Sequence, residues 1–401
     1  MNKLYETNSY LKECSSIVTG FEERDGEFFI TLSDTIFFPE EGGQYADTGV
    51  IKTKNGDFTL LDGHITVDKS GNDEDVIEYK VSGRIEPGCE VTCILDYEKR
   101  FDRMQNHSGE HILTGVIHKT YGFDNVGFHL SDDGPVTLDI NGVLSYEQVL
   151  EMEKAANQVI YRNLPIVCSY PSKEELKNLE YRSKIDIPGQ VRLVSVGSGE
   201  DLIDTCACCA PHVSNAGEVG IIKVTSVVNW KGGVRIAMLA GRRALEYING
   251  MQDVIRELTG ILTTSPENIA GMVRKHIDNE LEIKLQLNKL NETMILDRIS
   301  AIPEADRSDN HIEFVDSDFP QPVMKNIYNE MAALFDGYVG IFAGDDENGY
   351  RYLAGTANGD SRILATELRE KLNAKGGGKQ EMIQGQVNAT KSEIKAILMG
   401  M

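Results

Sequence analysis

The chain has 401 residues, 41% of them hydrophobic and 26% charged, which is too long for one small core, too large for a disulfide-stapled mini-protein and too apolar for wholesale disorder. With 63 acidic against 40 basic residues its formal charge is −23, which argues against a basic DNA-coating protein but leaves room for a local basic groove. No run of about eighteen apolar residues is present and Met1–Glu6 is not followed by a signal-type apolar segment, so neither a membrane span nor export is expected and a cytoplasmic location is.

Residues 1–95 read as short strands and turns. Glu27–Leu32, Phe58–Leu61, Val76–Val81 and Glu90–Leu95 are separated by glycine, asparagine, aspartate or Pro87-Gly88, the pattern of a small antiparallel barrel or sandwich, of which an N-terminal β-barrel is the form expected. After Asp96 the period lengthens: Met104, Ile112, Leu113, Val116 and Ile117 predict a helix over Met104–His118. Strand-like text from Gly127 to Ile140 precedes Ser145, an N-cap for a helix over Tyr146–Tyr161. Strands are expected again at Gln190–Val196, Gly220–Val228 and Gly233–Leu239, which makes 96–245 an α+β domain.

Residues 246–302 read as a helical arm. Ser265-Pro266-Glu267 starts a helix in which Ile269, Val273, Ile277, Leu281 and Leu285 keep one face apolar. A polar linker follows, and 303–401 alternates helix and strand, with Met324–Phe335, Tyr338–Ala343, Tyr352–Ala357 and Ser361–Leu372 as its elements. The fold class is therefore multidomain α+β ending in an α/β domain.

Of seven cysteines, Cys206, Cys208 and Cys209 crowd into four positions, which suits a thiol or metal site better than a disulfide framework. Cys14, Cys89, Cys93 and Cys168 read as small buried hydrophobes. His107 and His111 are one helical step of four apart, so both imidazoles share a face. Cys208 and His212 have the same spacing. Two such pairs, about a hundred residues apart, suggest one metal site assembled by the fold, and imidazole with thiolate favours Zn²⁺ over Mg²⁺ or Ca²⁺. Cys206 and Cys209 compete with Cys208, which only its spacing to His212 favours.

His107-Ser-Gly-Glu110-His111 also satisfies the inverted zinc-peptidase pattern, in which Glu110 would be the general base. That peptidase completes its site with a carboxylate, whereas this chain offers a cysteine and a histidine. A closed structural zinc site is equally open to four protein ligands.

Together with Phe37-Phe38-Pro39-Glu40-Glu41-Gly42-Gly43-Gln44-Tyr45-Ala46-Asp47-Thr48-Gly49, these pairs resemble the editing domain of alanyl-tRNA synthetase and the free-standing AlaX-type editing hydrolases. Arg103-Met104-Gln105 leads into the first pair as it does there, and Lys375-Gly376-Gly377-Gly378-Lys379 resembles the glycine-rich loop of the C-terminal DHHA1 domain. The resemblance covers nearly the whole chain, with no aminoacylation domain before it, and so implies the long form of the editing protein without tRNA charging. It implies hydrolysis of serine or glycine from mischarged alanine tRNA, with Zn²⁺ held by His107, His111, Cys208 and His212. Gln44 and Glu110 would be the catalytic groups, Glu110 either as a base or as a partner holding a histidine. Gly42, Gly43, Gln44, Arg103, Lys375 and Lys379 would bind substrate, and a homodimer would form through the C-terminal region. On this reading Gln44→Ala leaves the metal untouched. Arg100, Lys231, Arg235, Arg242 and Arg243 are further candidates for tRNA contact, and Asp204 shares the ambiguity of Glu110. Cys-Cys-Ala-Pro-His and Ser-Gly-Glu depart from the family's common Cys-Gly-Gly-Thr-His and Thr-Ala-Thr. The departures leave open a hydrolase of another amino ester or small metabolite, or a non-catalytic tRNA-binding module.

Overall fold

The computed structural model describes residues 1–67, 75–183 and 190–401. By its internal contacts the chain divides into two compact units, Met1–Ile255 and Arg256–Met401.

The first unit begins with a closed six-stranded barrel built from β1 (Glu13–Arg24), β2 (Glu27–Leu32), β3 (Gly49–Thr53), β4 (Gly56–Val67), β5 (Asp75–Val81) and β6 (Glu90–Leu95), in the order β1-β2-β5-β4-β3-β6. Closure leaves no free edge. Alternation supplies its core: Val91, Cys93 and Leu95 of β6 point inward with Val18, Ile30, Leu32, Ile51, Leu60, Ile77 and Tyr79. The expected barrel is therefore present, but β1 had no clear sequence signal. Its register shifts between Val18 and Gly20, and a bulge of this kind interrupts the two-residue period.

Helix α1 (Tyr97–Tyr121) is capped by Asp96, whose side chain accepts from Lys99 N, and ends at Gly122 in the left-handed region. It is longer than the apolar pattern of Met104–His118 predicts. Arg100, Asp102, Arg103 and Asn106 are buried polar residues, and their burial is stabilised by hydrogen bonds that apolar periodicity does not detect. An antiparallel sheet of β7 (Asn125–His129), β8 (Val136–Ile140), β12 (Ile222–Trp230) and β13 (Gly233–Ala240) runs in the order β12-β13-β8-β7. Helix α2 (Tyr146–Tyr161) shares a core with α1 and this sheet, and Ser145 and Gln148 form its capping box. A three-stranded sheet, β9 (Ile166–Ser169), β10 (Leu193–Val196) and β11 (Asp204–Ala207), completes the unit, and β11 leads directly to Cys208.

Helix α3 (Gly241–Leu262) carries the chain across the division, and α4 (Ile269–Ser300) belongs to the second unit. Ile295 and Ile299 are its only buried residues; Ile277, Leu281, Leu285, Leu287, Leu290 and Met294 are exposed. The strands β14 (His311–Val315), β15 (Val339–Asp345), β16 (Gly349–Gly355), β17 (Lys375–Gly378) and β18 (Met382–Val387) form a sheet ordered β14-β15-β16-β18-β17. The end of α4 and α5 (Gln321–Leu334) pack with Val339, Ile341 and Leu353, whereas α6 (Ser361–Leu372) and α7 (Lys391–Leu398) pack with Phe342, Tyr352 and Ala354. The glycine-rich segment expected as a loop is the β17–β18 hairpin. A Cβ on Gly376 would lie 2.3 Å from Gln384 O, and one on Gly378 2.1 Å from Met382 O, so these glycines admit close backbone pairing.

Among the described residues no helix is long and apolar enough to cross a membrane. Of the single cysteines expected to be buried only Cys93 is; Cys14 and Cys89 are half-buried and Cys168 is exposed. Cys168 lies on the short β9, where its thiol accepts from Arg192 at 3.0 Å.

Candidate metal centre

One face of α1 presents His107 and His111 with their rings stacked at 5.6 Å, as a four-residue helical step requires. The loop after β11 brings His212 to 4.9 Å from the His107 ring and 4.8 Å from the His111 ring. Cys208 Sγ lies 3.6 Å from His107 Nε2 and 3.3 Å from His212 Nε2. The four donor atoms all lie within 4.8 Å of one another. Tetrahedral Zn²⁺, with bonds of about 2.3 Å to sulfur and 2.0–2.1 Å to nitrogen, would hold such donors roughly 3.3–3.6 Å apart. The donor set therefore fits zinc. Neither Cys206 nor Cys209 joins the cluster among the described residues.

The opposite ring nitrogens of His107 and His212 have hydrogen-bonding neighbours, and that of His111 faces a carboxylate without a hydrogen bond. His107 Nδ1 lies 2.8 Å from Gln44 Oε1, His212 Nδ1 lies 3.0 Å from Ser108 Oγ, and His111 Nδ1 faces Asp204 Oδ2 at 3.5 Å. Gln44 Oε1 is an acceptor, which favours hydrogen on His107 Nδ1 and leaves that ring's Nε2 lone pair for a metal. Arg192 anchors the loop through Cys208 O and Ala210 O, both at 2.9 Å.

Burial opposes the Cys208 thiolate, yet His107 and His212 hold its thiol well below the usual range. Burial likewise opposes a charged His111, but Glu110 and Asp204 raise it well above its ordinary value. His212, for which burial dominates, is held down to about 3. Cys208 is thus biased toward the thiolate, the form that ligates a metal.

Glu110 Oε2 lies 3.7 Å from His111 Nε2, on the side of the ring that faces the cluster. Its Oε1 accepts from Asn125 and, at 3.4 Å, from Thr114. Asp204 lies on the Nδ1 side of the same ring. A cleft of about 650 Å³ is lined by Glu110, Asn125, Tyr181, Arg182, Asp204 and Cys206 among others.

Gly42 and Gly43 have φ of 62° and 82°, which glycine adopts at little cost in a tight reverse turn. Glu41 and Gln44 exchange backbone hydrogen bonds at 3.1 Å across it. A Cβ on Gly43 would sit 2.7 Å from Phe128 O, so the turn packs directly against β7. Gln44 is fully buried, and its Nε2 finds no hydrogen-bond partner among the described residues.

Arg103 is buried and directed inward, with its fork on Asp132 at 3.0 and 2.7 Å and Nη1 on Tyr45 O and Ala46 O. It supports the turn that carries Gln44. Arg100 is similarly engaged with Asp47 and Ile36 O. Arg235 pairs with Asp139 and lies 3.8 Å over the Trp230 ring, with Lys231 5.4 Å from the same ring. Arg242 and Arg243 both reach Asp102. Lys375 and Lys379 belong to the second unit, where Lys375 is exposed on the edge strand β17 and Lys379 follows it in the turn. Sequence reasoning missed Ser108, Asn125, Arg182 and Arg192, none of which carries a spacing signal.

Residues 191–237, which include Cys208 and His212, match the family model described as the threonyl and alanyl tRNA synthetase second additional domain. The chain is 26% identical over 420 residues to alanyl-tRNA editing protein AlaX-L of Pyrococcus horikoshii, covering 98% of this chain and 96% of that protein. It is 29% identical over 387 residues to alanyl-tRNA editing protein Aarsd1 of Mus musculus, covering 92% and 88% respectively. The alanine–tRNA ligase of Methanopyrus kandleri is 29% identical over 306 residues, 74% of this chain but 32% of the ligase.

Proposed function

We propose that this chain, a member of the alanyl-tRNA editing protein family by its nearly end-to-end match, is an aminoacyl-tRNA deacylase that removes serine or glycine from mischarged alanine tRNA. The observation that carries the proposal is the convergence of His107, His111, Cys208 and His212 beside Gln44 and Glu110. These four ligands would hold zinc, which when bound supplies a Lewis acid for the ester carbonyl or an anchor for the substrate amine.

The chain's own groups divide the remaining work. Glu110, held by Asn125 and Thr114, accepts the proton of the attacking water. Gln44 keeps its oxygen on His107 and offers its unpaired Nε2 to an oxygen of the aminoacyl end. The Gly42-Gly43 turn lets backbone approach the substrate. A serine hydroxyl differs from alanine's hydrogen by one bonding group, so a buried donor or acceptor reading it can select strongly. Lys375 and Lys379 contact tRNA phosphates, and the exposed apolar side of α4 pairs with a second copy. Serine-charged alanine tRNA incubated with the purified chain should release serine, and a strong chelator should abolish the release. Tight tRNA binding without release would favour the closed, non-catalytic site that four protein ligands also permit.

A further inference from the structure

We infer that Arg182 is a positioning residue, a two-handed brace that aligns His111 through Asp204 and Glu110 through Thr114. Its Nε and Nη2 grip Asp204 Oδ1 and Oδ2 at 2.8 and 2.7 Å, and Nη2 also donates to Thr114 Oγ1 at 2.9 Å. Asp204 Oδ2 then lies at an ion-pair distance of 3.5 Å from His111 Nδ1, and Thr114 Oγ1, whose shorter bond is to Glu110 O at 2.9 Å, lies 3.4 Å from Glu110 Oε1. One guanidinium therefore stands behind both groups that flank His111. A planar fork fixes a carboxylate in orientation as well as distance, which a flexible point charge does not.

Two further features support the brace. Arg182 is held by a single parallel bridge to β11: its N–H donates to Thr205 O at 2.9 Å, and Ala207 N donates to its carbonyl at 2.9 Å. Helix α1 is bare where Asp204 approaches, since a Cβ on Gly115 would lie 2.6 Å from Asp204 Cβ. Backbone pairing and a glycine in the middle of a helix thus deliver the arginine–carboxylate pair to His111. The inference rests on the reading of the four-residue cluster as a metal site.

The test uses the full chain and reads metal binding without requiring tRNA. Zinc affinity is measured by competition with a chromophoric chelator, and the ligand field by the visible bands of the cobalt(II)-loaded protein. Arg182→Gln and Asp204→Asn are each expected to weaken zinc about 10- to 100-fold and shift the cobalt bands, as loss of an outer partner of a ligand does. The double variant should be no weaker than the poorer single variant by more than about threefold, because both act along one connection. Arg182→Lys should recover part of the loss. Wild-type affinity and bands in Arg182→Gln, or effects that multiply in the double variant, overturn the brace. If Arg182→Gln does not fold, Arg182→Lys carries the test, and wild-type affinity and bands in that variant overturn it. A wild-type chain that binds neither zinc nor cobalt removes the metal reading and the brace together. Metal effects as expected in a chain that hydrolyses no charged tRNA remove the deacylase reading and leave the brace standing.

Discussion

Gln44 Oε1 lies 2.8 Å from His107 Nδ1 across 63 positions of sequence, so the glycine-rich turn is tied to a metal-ligand candidate. Gln44→Ala should therefore affect two quantities at once, contrary to the expectation that the metal is untouched. Zinc affinity should fall roughly tenfold, as for other outer partners of ligating histidines. Ester hydrolysis at saturating zinc should slow by about ten- to a thousand-fold. Chelator competition and single-turnover hydrolysis measure the two separately, and loss of only one would assign Gln44 to one role.

Metal analysis distinguishes the neighbouring thiols. About one zinc per chain is expected, and His107→Ala, His111→Ala, Cys208→Ala and His212→Ala should each deplete it. Cys206→Ala should retain it, because Cys206 stands outside the four-donor cluster. Full occupancy in Cys208→Ala would overturn the ligand assignment.

Acid should weaken the support of the glycine-rich turn. Burial works to raise the Asp132 carboxyl, but Arg103 and Lys99 outweigh it and hold the group below its ordinary 3.8. A depressed folded-state pKa contributes stability that is present above the unfolded value and lost as pH falls through the folded one. Melting temperature should therefore drop below about pH 4, and Asp132→Asn should lose that part of the pH dependence. An identical profile in the variant would remove Asp132 from the account.

Assembly can be read from the exposed side of α4. Leu281 and Leu285 are 60% and 61% exposed, and replacing both with lysine should convert a dimer to a monomer of half the mass by light scattering while zinc content stays the same. A monomeric wild-type chain would reject the dimer.

Contacts to tRNA from the second unit should be electrostatic. Reversing Lys375 and Lys379 to glutamate should weaken tRNA binding and flatten its dependence on salt, with zinc unchanged. Equal salt slopes for the two proteins would exclude both lysines.

Local rules were read directly from the sequence. Ser145 caps α2, and β6 and α6 occupy the predicted Glu90–Leu95 and Ser361–Leu372, because capping and periodicity depend on neighbours only a few residues away. The two four-residue spacings were visible for the same reason: helical rise alone puts His107 above His111. Tertiary structure decided what lies behind each ligand. Asp204 faces His111 because Gly115 leaves α1 bare and β11 approaches it there, Arg182 reaches Asp204 by pairing beside β11, and Gln44 meets His107 because its turn packs on Phe128. Such contacts join residues tens to more than a hundred positions apart. They depend on strand register and on which buried polar groups find partners, and a one-dimensional spacing encodes neither.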